Sequence, residues 1–97
     1  MLTLQDCIAF SGLSEEEIRA IAEHEHIPDT VATTLGTYLA QTCDGEVEIR
    51  NMIIDDIRFS QKCGDKRHVR ELLHVLHHYL KGHPSAIPLG HPWSEHR

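Results

Sequence analysis

The chain of 97 residues is long enough for one small domain and too short to enclose a second hydrophobic core. Its apolar content of 40% and its charged content of 25% are those of a globular protein and exclude a disordered chain. The net charge of −6 argues against nucleic acid as a partner, because nucleic-acid binding rests on Lys and Arg side chains that meet phosphates.

The sequence also bears on where the protein works. No apolar run approaches the roughly 20 residues that a membrane-spanning helix needs, so no membrane partner is predicted. The N-terminal segment MLTLQDC lacks a basic region followed by an apolar stretch, so no secretory signal is expected. Cys7, Cys43 and Cys63 form no C-x-x-C pair, which predicts small buried thiols rather than a redox or zinc centre. We therefore expect a cytoplasmic protein.

Helix start and stop signals divide the chain into five predicted helices. Two capping-box patterns mark the first two helix starts: Thr3 with Asp6, and Ser14 with Glu17. Gly12 ends the first helix, and Pro28 ends the second and begins the third. The apolar face predicted for the third helix consists of Val31, Leu35, Tyr38 and Leu39. The small residues Ala32, Gly36 and Ala40 lie beside it, where another helix can approach closely.

The fourth predicted helix, ended by Gly64, is apolar around more than half of its circumference, which predicts a central position in the bundle. Its apolar side chains are Val47, Ile49, Met52, Ile53, Ile54, Ile57 and Phe59. Asp56 lies inside this arc and must therefore be paired, protonated or part of a site. The partners considered for an ion pair are Arg50, Arg58, Arg70 and the histidines.

The fifth predicted helix begins after Asp65 and ends at Gly82. Its apolar stripe consists of Val69, Leu72, Leu73, Leu76 and Leu80. Prolines at 84, 88 and 92 rule out regular helix beyond it, and Ile87, Leu89 and Trp93 are predicted to pack this tail onto the bundle or onto a partner. No β-alternation is present, so the sequence predicts an all-α bundle of about five helices over residues 1–82 and a proline-rich irregular tail over 83–97.

The segment IAFSGLSEEEIRAIA, residues 8–22, has the spacing of a helix-turn-helix. In a DNA-reading unit, the first turns of the second helix meet phosphates and base edges. Here that turn is SEEE, whose three carboxylates repel a polyanion, and only Arg19 offers the opposite charge. DNA binding is therefore a less favoured interpretation.

Nine histidines in 97 residues are the clearest compositional outlier. His74 and His78 are four residues apart on the fifth helix, the spacing at which two imidazoles can share a metal ion. Glu71 and His74 read E-x-x-H, the pair that di-iron bundles use, although the helix phase turns these side chains away from the core. The alternative is a solvated polar face that happens to be rich in histidine.

The segment AEHEHIP, residues 22–28, carries the second E-x-x-H pair, Glu23 and His26. His24 and His26 are two residues apart and share no helix face, unless the helix unwinds before Pro28. Glu25 is predicted to face inward. The candidate ligands for a zinc, nickel, copper or iron ion are therefore His74, His78, Glu71, His24, His26 and Glu23.

The sequence favours a non-enzymatic role, an interaction or accessory module that binds a protein partner or itself. A histidine-based transition-metal-binding protein is the main alternative. A di-metal carboxylate enzyme is less favoured, because Asp56 could supply one inward carboxylate but helices one and three offer only Asp6 and Asp29 near their starts. No nucleophile or nucleotide motif is present. A further hypothesis is that the fifth helix, with four histidines, becomes strongly basic below about pH 6.5 and then binds the SEEE turn of a neighbouring subunit.

Overall fold

The computed structural model describes residues 3–87 and folds them into five α-helices and one short 3-10 helix, with no strand in that range. The α-helices are α1 (Leu4–Ser11), α2 (Glu15–Glu25), α3 (Asp29–Leu39), α4 (Cys43–Lys62) and α5 (Lys66–Gly82), and the 3-10 helix spans Pro84–Ala86. The predicted all-α bundle of five helices is therefore confirmed.

Both predicted capping boxes form, and they fix where the first two helices begin. Asp6 N donates to Thr3 Oγ1, while Thr3 N donates to Asp6 Oδ2, each at 3.1 Å. Ser14 and Glu17 repeat the exchange at the start of α2. Gly12 adopts the left-handed conformation, with φ of 75°, that ends α1 and turns the chain into α2.

The central helix is α4, as its wide apolar arc predicts. It packs against α2, α3, α5 and the 3-10 helix. Ile49 and Ile53 are fully enclosed, and Met52 and Ile57 are buried beside them. Phe59 is exposed, as is Leu73 of α5, so both predicted apolar stripes were wider than the surfaces that neighbouring helices cover.

The packing of α3 corrects the predicted apolar face. Val31 and Tyr38 are exposed, whereas Ala32 and Gly36 are buried against the core. A Cβ atom at Gly36 would lie only 2.8 Å from Leu13 Cδ1, which shows how closely the glycine lets its neighbours approach. Of the predicted face, Leu39 is buried and Leu35 packs against the core, whereas Val31 and Tyr38 lie on the part of α3 that the close contact leaves on the surface. The prediction of close approach is confirmed, and the assignment of Val31 and Tyr38 to the core was wrong.

The beginning of the tail packs on the bundle. Ala86 and Ile87 are buried, and Arg50 Nη1 donates a hydrogen bond to the carbonyl oxygen of Ala86 at 2.8 Å. Leu89 and Trp93, the other residues predicted to hold the tail, lie outside the described residues. No helix within residues 3–87 is long and apolar enough to cross a membrane.

The cysteines do not behave as buried core residues. Cys43 and Cys63 are exposed, and Cys7 is only half-buried, with all three thiols free. The prediction of buried thiols was therefore wrong, because Cys43 lies in the first turn of α4 and Cys63 directly follows its last turn, where no helix covers them.

Candidate functional site

A cleft of about 410 Å³ opens between the end of α2, the second half of α4 and the start of α5. Its lining residues are Glu23, His24, His26, Asp55, Asp56, Phe59, Ser60, Cys63, Asp65 and His68. Four of them are carboxylic acids and three are histidines, and among the described residues that line it there is no Lys or Arg. We refer to this feature as the acidic cleft.

The way α2 ends brings two histidines to the cleft. His26 adopts a left-handed conformation, with φ of 56° and ψ of 47°, and its N–H donates to Ala22 O. The helix therefore unwinds at His26, before Pro28 begins the next turn. This is the condition under which His24 and His26 were expected to reach a common site, and both line the cleft.

His24 lies between two carboxylates. Its Nδ1 is 2.7 Å from Glu25 Oε2, and its Nε2 is 3.3 Å from Asp55 Oδ2. Burial lowers the pKa of His24, but the hydrogen bonds to Glu25 and Asp55, with the charges of Asp56 and Glu25, raise that pKa above its ordinary 6.5. Glu25 is exposed, so its predicted inward orientation was wrong, because its carboxylate turns toward the His24 ring at the surface.

His68 joins α5 to α2 on the other side of the cleft. Its Nε2 lies 2.7 Å from Glu23 Oε1, and its Nδ1 lies 3.5 Å from Glu71 Oε1. Burial lowers the pKa of His68, but the hydrogen bonds and charges of Glu23 and Glu71 outweigh it and raise the pKa above 6.5. The two imidazoles therefore retain a proton, and a compensating positive charge, more readily than free histidine.

Asp56 is the buried acid of the cleft. It is 7% exposed, and its Oδ2 atom has no hydrogen-bond partner within the described part of the chain. Burial raises the pKa of Asp56 from 3.8 to about 7, with a further rise from the charge of Glu23, against the lowering effect of His24 and His68. Within the described residues, Asp56 forms no ion pair of the kind expected from the sequence. Its carboxyl group instead gains or loses a proton near neutral pH.

The six predicted metal ligands divide between separate places. Glu23, His24 and His26 line the cleft, and Glu71 contacts it through His68. His74 and His78 lie further along α5 on an exposed face, as predicted from the helix phase. Among residues 3–87, no three His, Cys, Asp or Glu side chains are placed to hold a metal ion together. Transition-metal binding therefore stays a prediction without a formed site in this range.

His78 has a different partner. Its Nδ1 lies 2.9 Å from Oε2 of Glu17, a carboxylate that is only 2% exposed. Glu17 belongs to the SEEE turn, whose three carboxylates were the argument against DNA binding. It turns inward and joins the start of α2 to α5 within one chain.

Two of the cleft residues that form contacts, Asp55 and His68, were missed as site residues by sequence reasoning. Asp55 directly precedes Asp56, the aspartate that lies inside the apolar arc of the fourth helix. His68 is three residues before Glu71. The spacing of His68 and Glu71 was an available signal, because residues three apart lie together on a helix surface. The contact with Glu23, 45 positions away, had no local signal.

A second surface, on α1 and α3, carries the two most exposed of the Phe and Tyr side chains in residues 3–87. Phe10 is 75% exposed and Tyr38 is 71% exposed, and both border a shallow hollow of about 440 Å³. The residues of this hollow, which we call the aromatic face, are Cys7, Phe10, Thr33, Thr34, Thr37, Tyr38 and Gln41. None of them is charged, in a chain of which 25% of the residues are charged.

The threonines of the aromatic face use their hydroxyl groups within their own helix. Thr33 Oγ1 donates to Asp29 O at 2.8 Å, and Thr37 Oγ1 donates to Thr33 O at 2.7 Å. A hydroxyl hydrogen that is already bonded to the backbone needs no partner from water. Covering this face therefore carries a smaller desolvation cost than its polar composition suggests.

Comparisons of the chain with protein-family models, with curated proteins and with solved structures found no match.

Proposed function

We propose that the protein is a small helical interaction module that associates with a second copy of itself through the aromatic face. The observation that carries this proposal is that Phe10 and Tyr38, the two most exposed large apolar side chains described, border one uncharged surface. Aromatic residues are enriched at protein interfaces, and charged residues are depleted from their centres.

The aromatic face is a part of the surface on which a second copy can bind without local charge repulsion. Each chain carries a net charge of −6, so most approaches of two copies bring like charges together. The aromatic face has no charged residue, and a two-fold interface places the same surface of each copy against the other. No oppositely charged partner is then needed. The exposed edge of Val31, on the same helix as Tyr38, would extend the apolar contact.

The apolar arc of α4 is a weaker reason for self-association than the sequence suggested. Within residues 3–87 it is mostly covered by α2, α3, α5 and the 3-10 helix. Three of the five exposed large apolar side chains among the described residues, Phe10, Val31 and Tyr38, lie instead on α1 and α3.

Sedimentation velocity over a range of protein concentrations tests the proposal. We expect a concentration-dependent dimer, and we expect Phe10→Glu to weaken it by about tenfold or more in dissociation constant, because two added carboxylates would lie in the interface. Phe59→Glu is the matched control, because Phe59 is 66% exposed and lies on α4, outside the aromatic face. A chain that stays monomeric at high concentration, or equal weakening by both variants, would contradict the proposal.

A further inference from the structure

We propose that the acidic cleft is a binding site for a guanidinium group, carried by a small molecule or by an arginine side chain. The carboxyl group of Asp56, 93% buried in the floor of the cleft with its Oδ2 atom unpartnered, is the observation that points to a ligand. A buried polar atom without a hydrogen bond is costly to maintain, and a donor from a ligand would satisfy it.

The charge of the cleft selects a cation. Glu23, Asp55, Asp56 and Asp65 line it, and the described lining contains no Lys or Arg to neutralise them. The compensating groups are the imidazoles of His24 and His68, whose charge disappears when they lose a proton. A permanently charged ligand can replace that compensation, and a guanidinium group keeps its charge throughout the physiological range.

The shape and the lining favour guanidinium over ammonium. A guanidinium group presents five N–H donors in one plane, which suits a site where several carboxylate oxygens surround a small volume. It is also more weakly hydrated than ammonium and stacks on aromatic rings. Phe59 supplies an exposed ring in the lining of the cleft, and the volume of about 410 Å³ lies in the range of small-ligand sites.

The site should bind more tightly as pH rises from about 6 to about 8. Over this range Asp56, whose pKa is raised to about 7, loses its proton. His24 of α2 and His68 of α5 hold their positive charge to higher pH than a free imidazole, because neighbouring carboxylates raise their pKa above 6.5. The carboxylates that face these groups are Glu23, Glu25, Asp55, Asp65 and Glu71, and His26 also lines the cleft. Binding to ordinary surface carboxylates would not change between these pH values, because such carboxylates are fully ionised in both conditions.

Chemical-shift titration of the full chain with propylguanidine, at constant ionic strength, tests the inference. We expect saturable shifts at the amides of residues 55, 56, 59 and 68, with a dissociation constant below about 1 mM at about pH 8 and at least tenfold weaker binding at about pH 6. Butylamine, of similar length, should bind at least several-fold more weakly. No saturable shift, an equal response to butylamine, or binding independent of pH would overturn the inference.

Two variants and a matched control locate the ligand. Asp56→Asn should weaken propylguanidine binding at least tenfold, and Phe59→Ala, at a position that is 66% exposed, should weaken it several-fold. Glu48→Gln removes one exposed carboxylate from the same helix outside the cleft and should leave binding unchanged. Retained binding in Asp56→Asn, or zinc chloride that binds the cleft and displaces propylguanidine at equal concentration, would contradict a guanidinium site.

The source of the guanidinium group is decided by a capped Gly-Arg-Gly tripeptide in the same titration. Binding as tight as that of propylguanidine would support an arginine side chain of a protein as the ligand. Exclusion of the tripeptide, with propylguanidine still bound, would support a free small molecule.

Discussion

His68 Nε2 lies 2.7 Å from Glu23 Oε1, and this contact joins α5 to α2 across 45 positions of the sequence. It lies at one wall of the acidic cleft and is strengthened when the imidazole is protonated, because the hydrogen bond then becomes an ion pair. Because the pKa of His68 is raised in the folded chain, its contribution to stability is fully present below pH 6.5. That contribution is lost as the pH rises through the folded-state pKa.

Replacing His68 with alanine should therefore reduce the free energy of unfolding at about pH 6, by up to about 1 kcal/mol because the pair is partly exposed, and have a smaller effect at about pH 8. Urea denaturation at the two pH values measures this difference. His74→Ala, an exposed histidine on the same helix, is the control and should change little. Equal losses for His68→Ala at both pH values would show that only packing is involved.

Replacing Asp56 should change the free energy of unfolding by more than replacing His68 does. The Asp56 pKa of about 7 in the folded chain lies above the ordinary 3.8, so folding favours the protonated carboxyl group and stability falls as the pH rises from about 4 to above 7. Asp56→Asn keeps the neutral shape at every pH. We expect it to raise the free energy of unfolding by about 2–4 kcal/mol at about pH 8 and to have almost no effect near pH 4.

Thermal and urea denaturation of the Asp56→Asn protein across this pH range provide the measurement. Asp55→Asn removes the neighbouring, exposed carboxylate and should not reproduce the stabilisation at high pH. Destabilisation by Asp56→Asn at about pH 8 would mean that the ionised carboxylate is required by the fold.

Glu17 combines a helix cap with an interhelical contact. It accepts a hydrogen bond from Ser14 N at 2.9 Å and meets His78 Nδ1 at the same distance, while only 2% exposed. Glu17→Ala should therefore lower the free energy of unfolding by about 1–3 kcal/mol, measured by urea denaturation. Glu16→Ala, at the exposed position before it, should cost no more than a few tenths of a kcal/mol. Similar losses for both would assign the effect to the helix dipole alone.

Gly36 tests the close packing of α3. Its added Cβ atom would lie 2.8 Å from Leu13 Cδ1 and 3.2 Å from Ile21 Cδ1, so Gly36→Ala should destabilise by about 1–2 kcal/mol despite the better helix propensity of alanine. Gly82→Ala is the matched control, because a Cβ atom there meets nothing within 4 Å. Gly82→Ala should be neutral or stabilising in the same thermal denaturation experiment. A stabilising Gly36→Ala would show that Leu13 repacks at low cost.

The sequence predicted the elements well because their boundaries are encoded locally. Capping boxes, Gly12 and Pro28 act over a few residues, so their spacing alone located the first three helices. The burial of Asp56 followed in the same way from the apolar residues around it on one helix.

The faces of helices and the composition of the site were harder to predict. Bulky apolar residues normally point to a core, but Gly36 allows so close a contact that Tyr38 remains outside. Likewise, the pair of Glu23 and His68 depends on how α2 crosses α5, which no periodicity within either helix specifies. The sequence predicted only that His24 and His26 could reach one site if the helix unwound before Pro28. Whether the last turn of α2 unwinds at His26 depends on how the helices pack, which the local sequence does not specify.

An isotope-filtered nuclear Overhauser experiment on a mixture of labelled and unlabelled chains tests self-association through the aromatic face most directly. At concentrations where the dimer dominates, we predict intermolecular contacts from the rings of Phe10 and Tyr38, and none from the ring of Phe59. Intermolecular contacts that arise from α5 or from the acidic cleft, with none from Phe10 and Tyr38, would contradict the account.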